Sequence, residues 1–323
     1  MTVAVTGVGE AIVEVCRTIG VKYEKDAPMQ RYTTMAVGGE ASLLVEPETE
    51  EQWLLLLKAV KEQAVPWTIL GRGSNLLFPD DGFEGVVFRT TKMDKQTVSG
   101  KTVTAQAGVS LTKLCRLAQG HGLSGLAFAY GIPGSVGGAV YMNAGAYGGE
   151  MADVVDEVVV LDSDQEKVLT LRREALRFSY RHSLLQEHPE WILLRVTLML
   201  SFGDPEQIAE EMKGYLTLRK EKQPLQDPSA GSFFKRPVGA YAGKLIEDCG
   251  LKGYRVGDAA VSEKHAGFLV NKGRATTADI LRLAERVRET VYRRTGILLE
   301  PEVVLAQARV PSDKGGGHRD TDV

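Results

Sequence analysis

Two glycine-rich stretches carry the residue types that could do chemistry in this chain. The first, Gly71-Arg72-Gly73-Ser74-Asn75-Leu76, follows the short apolar run Trp67 to Leu70. The second lies between Gly131 and Glu150, where seven of twenty residues are glycine: Gly131, Gly134, Gly137, Gly138, Gly145, Gly148 and Gly149. That is about five times the roughly 7% of an average chain. Glycine costs backbone entropy on folding, so a folded chain concentrates it where side chains would obstruct. Bare N–H groups that curl around an anion hold phosphate in this way. Gly134-Ser135-Val136-Gly137-Gly138 suits that use, with the Ser135 hydroxyl as a further donor, and Arg72 sets a cation beside the first loop. Asn143 and Gly145 join the cluster, and small apolar residues such as Val136, Ala139 and Val140 fill between. A flexible linker would be polar and lack them. A glycine-rich turn between packed elements is the competing reading. Two such loops, each flanked by apolar runs, favour a long ligand with two phosphates.

The elements that must position these loops are legible in part. Ile12, Val15, Cys16 and Ile19 have helical spacing, and Ile12 stands where a Gly-x-Gly-x-x-Gly dinucleotide fingerprint needs its third glycine, so the Gly7-Val8-Gly9 run is not one. Residues 31–47 alternate in a β-like way. Thr49-Glu50-Glu51-Gln52 is a capping box opening a buried helix that ends near Gln63. Strands are expected at 67–70, 85–90 and 102–107, and a helix from Leu111 to the Gly120-His121-Gly122 stop. Past the central glycines, 154–161, 167–171 and the long run 191–202 read as strands. Asp204-Pro205 caps and starts a helix with Ile208, Met212, Tyr215 and Leu216 on one face. Residues 221–239 hold three prolines and read as a loop and domain boundary. Beyond it come a helix at 241–249, strands at 259–261 and 267–270, a helix at 277–294 closed by Gly296, and a strand at 297–305. The expected units are 1–90, 91–220 and 221–310, with 297–306 packing back near the first and 311–323 a disordered tail.

Composition narrows the classes. At 323 residues the chain is long enough for two or three domains. A formal charge of −3 and a pI of about 6.0 give no electrostatic footprint for nucleic acid. The longest apolar runs, about ten residues, are too short to span a bilayer. The start MTVAVTGVGEAIVEV, with early Glu10 and Glu14, is a poor signal peptide. Cys16, Cys115 and Cys249 show no CxxC spacing and suit a reducing cytoplasm. His121 between glycines reads as a turn residue, and no metal-ligand spacing occurs.

Several segments together are specific: GRGSNLL, GIPGSVGGAVYMNAGAYGGE, SYRHS, DPSAGSFFKRP and LLEPEV. In these, over roughly residues 25–306, the chain strongly resembles the UDP-N-acetylenolpyruvoylglucosamine reductases, flavoenzymes that make UDP-N-acetylmuramate for peptidoglycan. The resemblance implies an α+β fold: a vanillyl-alcohol-oxidase-like FAD-binding two-domain unit plus a C-terminal α+β substrate-binding domain. It implies that the glycine loops hold the FAD pyrophosphate. The implied cofactor set is Gly71, Arg72, Gly73, Ser74, Asn75, Leu76, Gly134, Ser135, Gly137, Gly138, Asn143, Gly145 and Ile192. It also implies NADPH as electron donor, a cytoplasmic monomer and small-molecule substrates only. The junction Ser201-Phe202-Gly203-Asp204-Pro205 is short, as in the family's second variant, so the first variant's tyrosine loop is not carried over.

The implied reaction reduces an enol ether conjugated to a carboxylate, UDP-N-acetylglucosamine enolpyruvate. Hydride reaches the β-carbon and a proton the α-carbon, so donors are needed where charge develops. Ser232 matches the family's proton donor, although a serine in a Pro/Gly-rich loop is more often a turn residue. Arg181 matches the arginine that binds the substrate carboxylate, a task suited to a guanidinium. Glu302 matches the catalytic glutamate; Glu300, two residues away, shares its face in a regular strand, and spacing alone leaves the two open. Lys222 matches a substrate-binding lysine. Arg236 and His265 stand where the other variant has amide side chains near the substrate, which is a departure. The competing functions are another flavin-dependent oxidoreductase or oxidase on the same fold, and a nucleotide-binding protein without turnover.

Overall fold

The computed structural model describes residues 10–310. The Gly7-Val8-Gly9 run and the 311–323 tail therefore lie outside the described residues. Helix α1 (Glu10–Thr18) buries Ile12, Val13 and Cys16, as its spacing requires. Three sheets follow in sequence.

The first sheet contains β1 (Lys22–Pro28), β2 (Glu40–Glu46), β3 (Trp67–Leu70) and β5 (Phe83–Arg89), in the order β1-β2-β5-β3. Strand β1 pairs antiparallel with β2, while β5 runs parallel to both β2 and β3. The sequence KYEKDAP of β1 shows no apolar alternation because it is a charged edge strand, a common guard against edge pairing. The alternation over 31–47 becomes a 3-10 turn at Met29–Arg31 and a strand only from Glu40. Helix α2 (Glu50–Glu62) starts at the expected box. The Thr49 hydroxyl accepts from the Gln52 N–H, and the Gln52 side chain accepts from the Thr49 N–H. Such a cap is worth about 1 kcal/mol. A two-residue strand, β4 (Leu76–Leu77), follows the first glycine loop.

The second sheet is antiparallel: β6 (Gln96–Ser99), β7 (Thr102–Gln106), β8 (Val155–Asp162), β9 (Lys167–Arg172) and β10 (Trp191–Met199), ordered β9-β8-β10-β7-β6. Val158 and Val160 face a core with α3 (Leu111–Gly120) and the start of α5 (Pro205–Lys222). Val159 and Leu161 face a second core, shared with Trp53 of α2 and the first sheet. Burial on both faces explains the unbroken apolar run of β8. Helix α4 (Val136–Tyr141) lies inside the second glycine stretch. The expected strand 191–202 breaks at Leu200 into β10 and a two-residue pairing of Ser201–Phe202 with Leu123–Ser124. Asp204 then caps α5 directly.

The third sheet has the order β11-β14-β13-β12: β11 (Ser229–Ser232), β12 (Arg255–Val256), β13 (Ala259–Val261) and β14 (Phe268–Asn271). With α6 (Ala242–Asp248) and α7 (Thr277–Thr295) it encloses a core containing Ile280, Leu283, Val287 and Val291. Gly296 ends α7 in the left-handed conformation, φ +72°. Strand β11 sits within the segment expected to be loop. The expected strand 297–305 contracts to β15 (Val304–Leu305), which pairs parallel with β4 of the first unit.

Candidate active site

A cleft of about 930 Å³ is lined by both glycine loops, Arg181, β11 and the run from Glu302 to Val310. Ligand sites of this class run to about 1,000 Å³. Of the thirteen expected cofactor positions, eleven line it: the six from Gly71 to Leu76, with Gly134, Ser135, Gly137, Gly138 and Gly145. The two loops touch. A Cβ on Gly71 would sit 2.7 Å from the Ser135 hydroxyl, so the bare Cα is what lets them meet. Gly73 has φ +65° and a Cβ there would lie 2.1 Å from the Tyr32 carbonyl. The second loop is pinned to the end of β7 and the segment after it: Val136 and Gly137 donate to the Val109 and Ala107 carbonyls, each at 2.8 Å. Ser135 caps α4, its hydroxyl accepting from the Gly138 N–H at 3.3 Å, so it shapes the loop from inside.

Arg181 and Glu302 meet in this cleft. The Arg181 Nε lies 2.8 Å from Glu302 Oε1, although the N–H is not aimed along that line, which makes a close ion pair and not an aligned hydrogen bond. Backbone geometry delivers the guanidinium. Ser179 and His182 exchange hydrogen bonds across a two-residue turn, and Arg181 occupies its left-handed position at φ +57°. A non-glycine residue there costs about 1–2 kcal/mol, strain of the kind that gathers at functional sites. Its two Nη atoms make only long contacts, 3.4 and 3.5 Å, to the Gly145 carbonyl. Burial raises the Glu302 carboxyl above the usual carboxylate range, while Arg181 and then Lys235 pull it back.

The main chain fixes Glu302 from both sides. Its N–H donates to the Phe233 carbonyl at 2.8 Å, and Asn75 Nδ2 donates to its carbonyl at 3.0 Å. Because residues 298–303 are not regular strand, Glu300 does not share its face. The Glu300 side chain is 71% exposed and faces Lys235, outside the cleft. Ser232 lines the cleft and is exposed to it. The β11–β14 pairing shifts register between Ser229 and Ser232, at a left-handed Gly231 (φ +78°).

Five expected residues stand elsewhere. Asn143 is fully buried; it donates to the Ser179 carbonyl at 3.0 Å and accepts from the Ala152 N–H at 2.9 Å. It thus anchors the hairpin that carries Arg181. Ile192 faces the core between the first two sheets, because a bulge near Leu194 turns Trp191 and Leu193 to the cleft instead. Lys222 is exposed at the end of α5. Arg236 is exposed, donates its N–H to the Tyr180 hydroxyl and stacks over Tyr241. His265 packs against Phe268 and Gly243, and burial pushes its imidazole below the usual value.

Two cleft-lining arginines were not expected. Arg219 is 6% exposed, lies over the Tyr147 ring and keeps an unpartnered Nε, and burial lowers its pKa. Arg309 has a buried Nη1 without a partner among the described residues. A signal existed for Arg219: Ile208, Met212, Tyr215 and Arg219 recur every three or four residues, which puts the cation on the apolar face of α5. Arg309 offers no such spacing. The described residues contain no cluster that could hold a metal ion, and no helix long and apolar enough to cross a membrane.

Known proteins resemble this chain in sequence and in fold. The family profile for the UDP-N-acetylenolpyruvoylglucosamine reductase C-terminal domain matches residues 223–306, and that for an FAD binding domain matches 41–172. The reductase of Caldanaerobacter subterraneus is 47% identical over 86% of this chain and 91% of its own length. That of Streptococcus pneumoniae is 44% identical over 94% and 99%. The crystal structure of the Thermus caldophilus reductase aligns with a TM-score of 0.74 at 38% identity, covering 88% of this chain and 98% of its own.

Proposed function

Because the chain belongs to the UDP-N-acetylenolpyruvoylglucosamine reductase family of FAD-containing oxidoreductases, we propose that the cleft holds FAD and the enolpyruvyl substrate together, with NADPH as electron donor. The residues present suit FAD. A dinucleotide needs bare backbone at its diphosphate and cations nearby, and the Gly71–Ser74 and Gly134–Gly138 loops lie in one cleft with Arg72 and the unpartnered Nε of Arg219. When bound and reduced, FAD supplies the hydride for the enolpyruvyl β-carbon.

The chain's own residues then manage charge and proton. The Nη atoms of Arg181, held only by long contacts to the Gly145 carbonyl, bind the substrate carboxylate bidentately. Glu302, whose buried carboxyl keeps its proton to higher pH than a solvated glutamate, donates a hydrogen bond where negative charge develops. Ser232 passes its hydroxyl proton to the α-carbon and is reprotonated from solvent, which reaches it. Lys222, Arg236 and His265 do not line the cleft; on this reading they bind the UDP half of the substrate. The units 1–90, 91–220 and 221–310, a monomer and a cytoplasmic place of work belong to the same reading. The observation that carries it is the Arg181–Glu302 pair, 2.8 Å apart, in the cleft formed by both glycine loops.

The test is NADPH oxidation by the yellow protein with and without UDP-N-acetylglucosamine enolpyruvate. Ser232→Ala keeps the flavin spectrum and the NADPH half-reaction, but substrate reduction slows roughly 10²- to 10⁴-fold. Equal slowing of both half-reactions overturns the proton-donor role. A flavin spectrum with no dependence on the enolpyruvyl compound favours an oxidase on the same fold.

A further inference from the structure

We propose that Arg309 holds the adenine-nucleotide half of FAD, and that the run from Glu302 to Arg309 spans the cofactor from its reactive end to its nucleotide end. The inference rests on the placement of FAD in the cleft proposed above. The run is tied down at both ends by backbone bonds. Asn75, at the end of the first glycine loop, holds Glu302, and the Val304 N–H donates to the Asn75 carbonyl at 3.1 Å. Further on, Trp67 and Arg309 exchange two hydrogen bonds, of 3.0 and 2.7 Å. Trp67 opens β3 and the glycine loop closes it. Arg309 therefore lies a strand length upstream of the loop, about 13 Å for four residues. Seven extended residues reach at most about 25 Å, enough to pass the cradle from one side to the other.

The ligand's direction follows from where the chemistry sits. Ser232, Arg181 and Glu302 fix the reactive ring at one end. The glycine loops take the diphosphate in the middle. The remaining half of the dinucleotide falls at the Trp67 and Arg309 end. There the Arg309 guanidinium lies 4.8 Å over the Trp67 ring, with Nη1 buried and unpartnered. A planar cation with one face on an indole offers its other face to a purine ring and its N–H to a ring nitrogen. The Glu190 carboxylate acts on Arg309 and would oppose a further phosphate beside it, so a neutral purine and ribose are the fitting occupant. An unpaired buried guanidinium is costly to keep, and a ligand acceptor removes that cost.

The experiment titrates the apoprotein with FAD and FMN by flavin fluorescence, and with ADP by competition. Arg309→Ala weakens FAD and ADP each by about 10- to 100-fold, the range for a lost hydrogen bond to a charged group. FMN, which lacks the adenylate, binds as before, and the apoprotein melts no lower, because the bonds to Trp67 are made by the main chain and the side chain removed is a buried cation with an unpartnered nitrogen. Arg309→Gln gives the same selective loss. Unchanged FAD affinity, or equal loss of FAD and FMN, overturns the assignment. Gly138→Leu separates the two levels of the argument: a Cβ at Gly138 meets only the Ser135 hydroxyl, at 3.5 Å, yet the side chain fills the cradle. If that variant binds FAD normally, the placement in the cleft is wrong. If it loses FAD while Arg309→Ala keeps it, only the Arg309 assignment fails.

Discussion

Replacing Arg181 by glutamine should raise the ionisation of Glu302, because the nearest opposite charge that favours its carboxylate is removed. At 2.8 Å and an effective dielectric of about 20, Coulomb's law gives an attraction of roughly 6 kcal/mol. Both side chains keep some water contact, 22% and 15%, and the N–H is misaligned, so the full figure is not realised. Lys235 remains and still favours the carboxylate. The sign is definite: burial already raises Glu302, and loss of its nearest cation raises it further. Isotope-edited infrared titration of the Glu302 carboxyl between pH 4 and 10 reads this directly. Stability supplies a second readout. A carboxyl raised on folding contributes stability below its unfolded value and loses it as pH rises through the folded one. The variant should therefore go on losing stability to a higher pH than the unaltered protein. An ionisation at or below the original value would refute the pairing as the force that holds Glu302 down.

Other outcomes follow from single contacts. Gly73→Ala places a Cβ 2.1 Å from the Tyr32 carbonyl on a backbone with φ +65°, so the apoprotein should melt several degrees lower and bind FAD more weakly; identical melting and binding would show that the loop relaxes freely. Burial pushes the Cys16 thiol up to about 11 and that of Cys115 up to about 12. With Cys249 also buried, a thiol reagent at pH 8 should find no reactive cysteine in the native protein and three after unfolding. Rapid native labelling would contradict the packing around them.

How much the sequence revealed depended on whether the signal was local. The Thr49 box, the Asp204-Pro205 start and the Gly296 stop are set by neighbouring residues, and each appears at the expected position. The glycine loops were legible as a site because their composition has a local cause. Strand β11 was not, since its pairing partner Phe268–Asn271 lies far along the chain and its own sequence, between prolines, reads as loop. Glu300 and Glu302 could not be separated by spacing because the expected regular strand does not exist. Ile192 shows the limit of alternation: one bulge in β10 exchanges which side chains face the cleft. Arg309 was silent because what distinguishes it is an unmade hydrogen bond, which has no spacing at all.

The pairing of Trp67 with Arg309 also has a meaning for synthesis. A ribosome adding about 5–20 residues per second finishes β3 long before it reaches residue 309. Until then β3 lacks its Arg309 partner and the cleft lacks the wall from Glu302 to Val310. A nascent chain can fold its first two sheets and still have no complete seat for the flavin. On the placement of FAD proposed above, complete cofactor loading waits for chains translated at least that far.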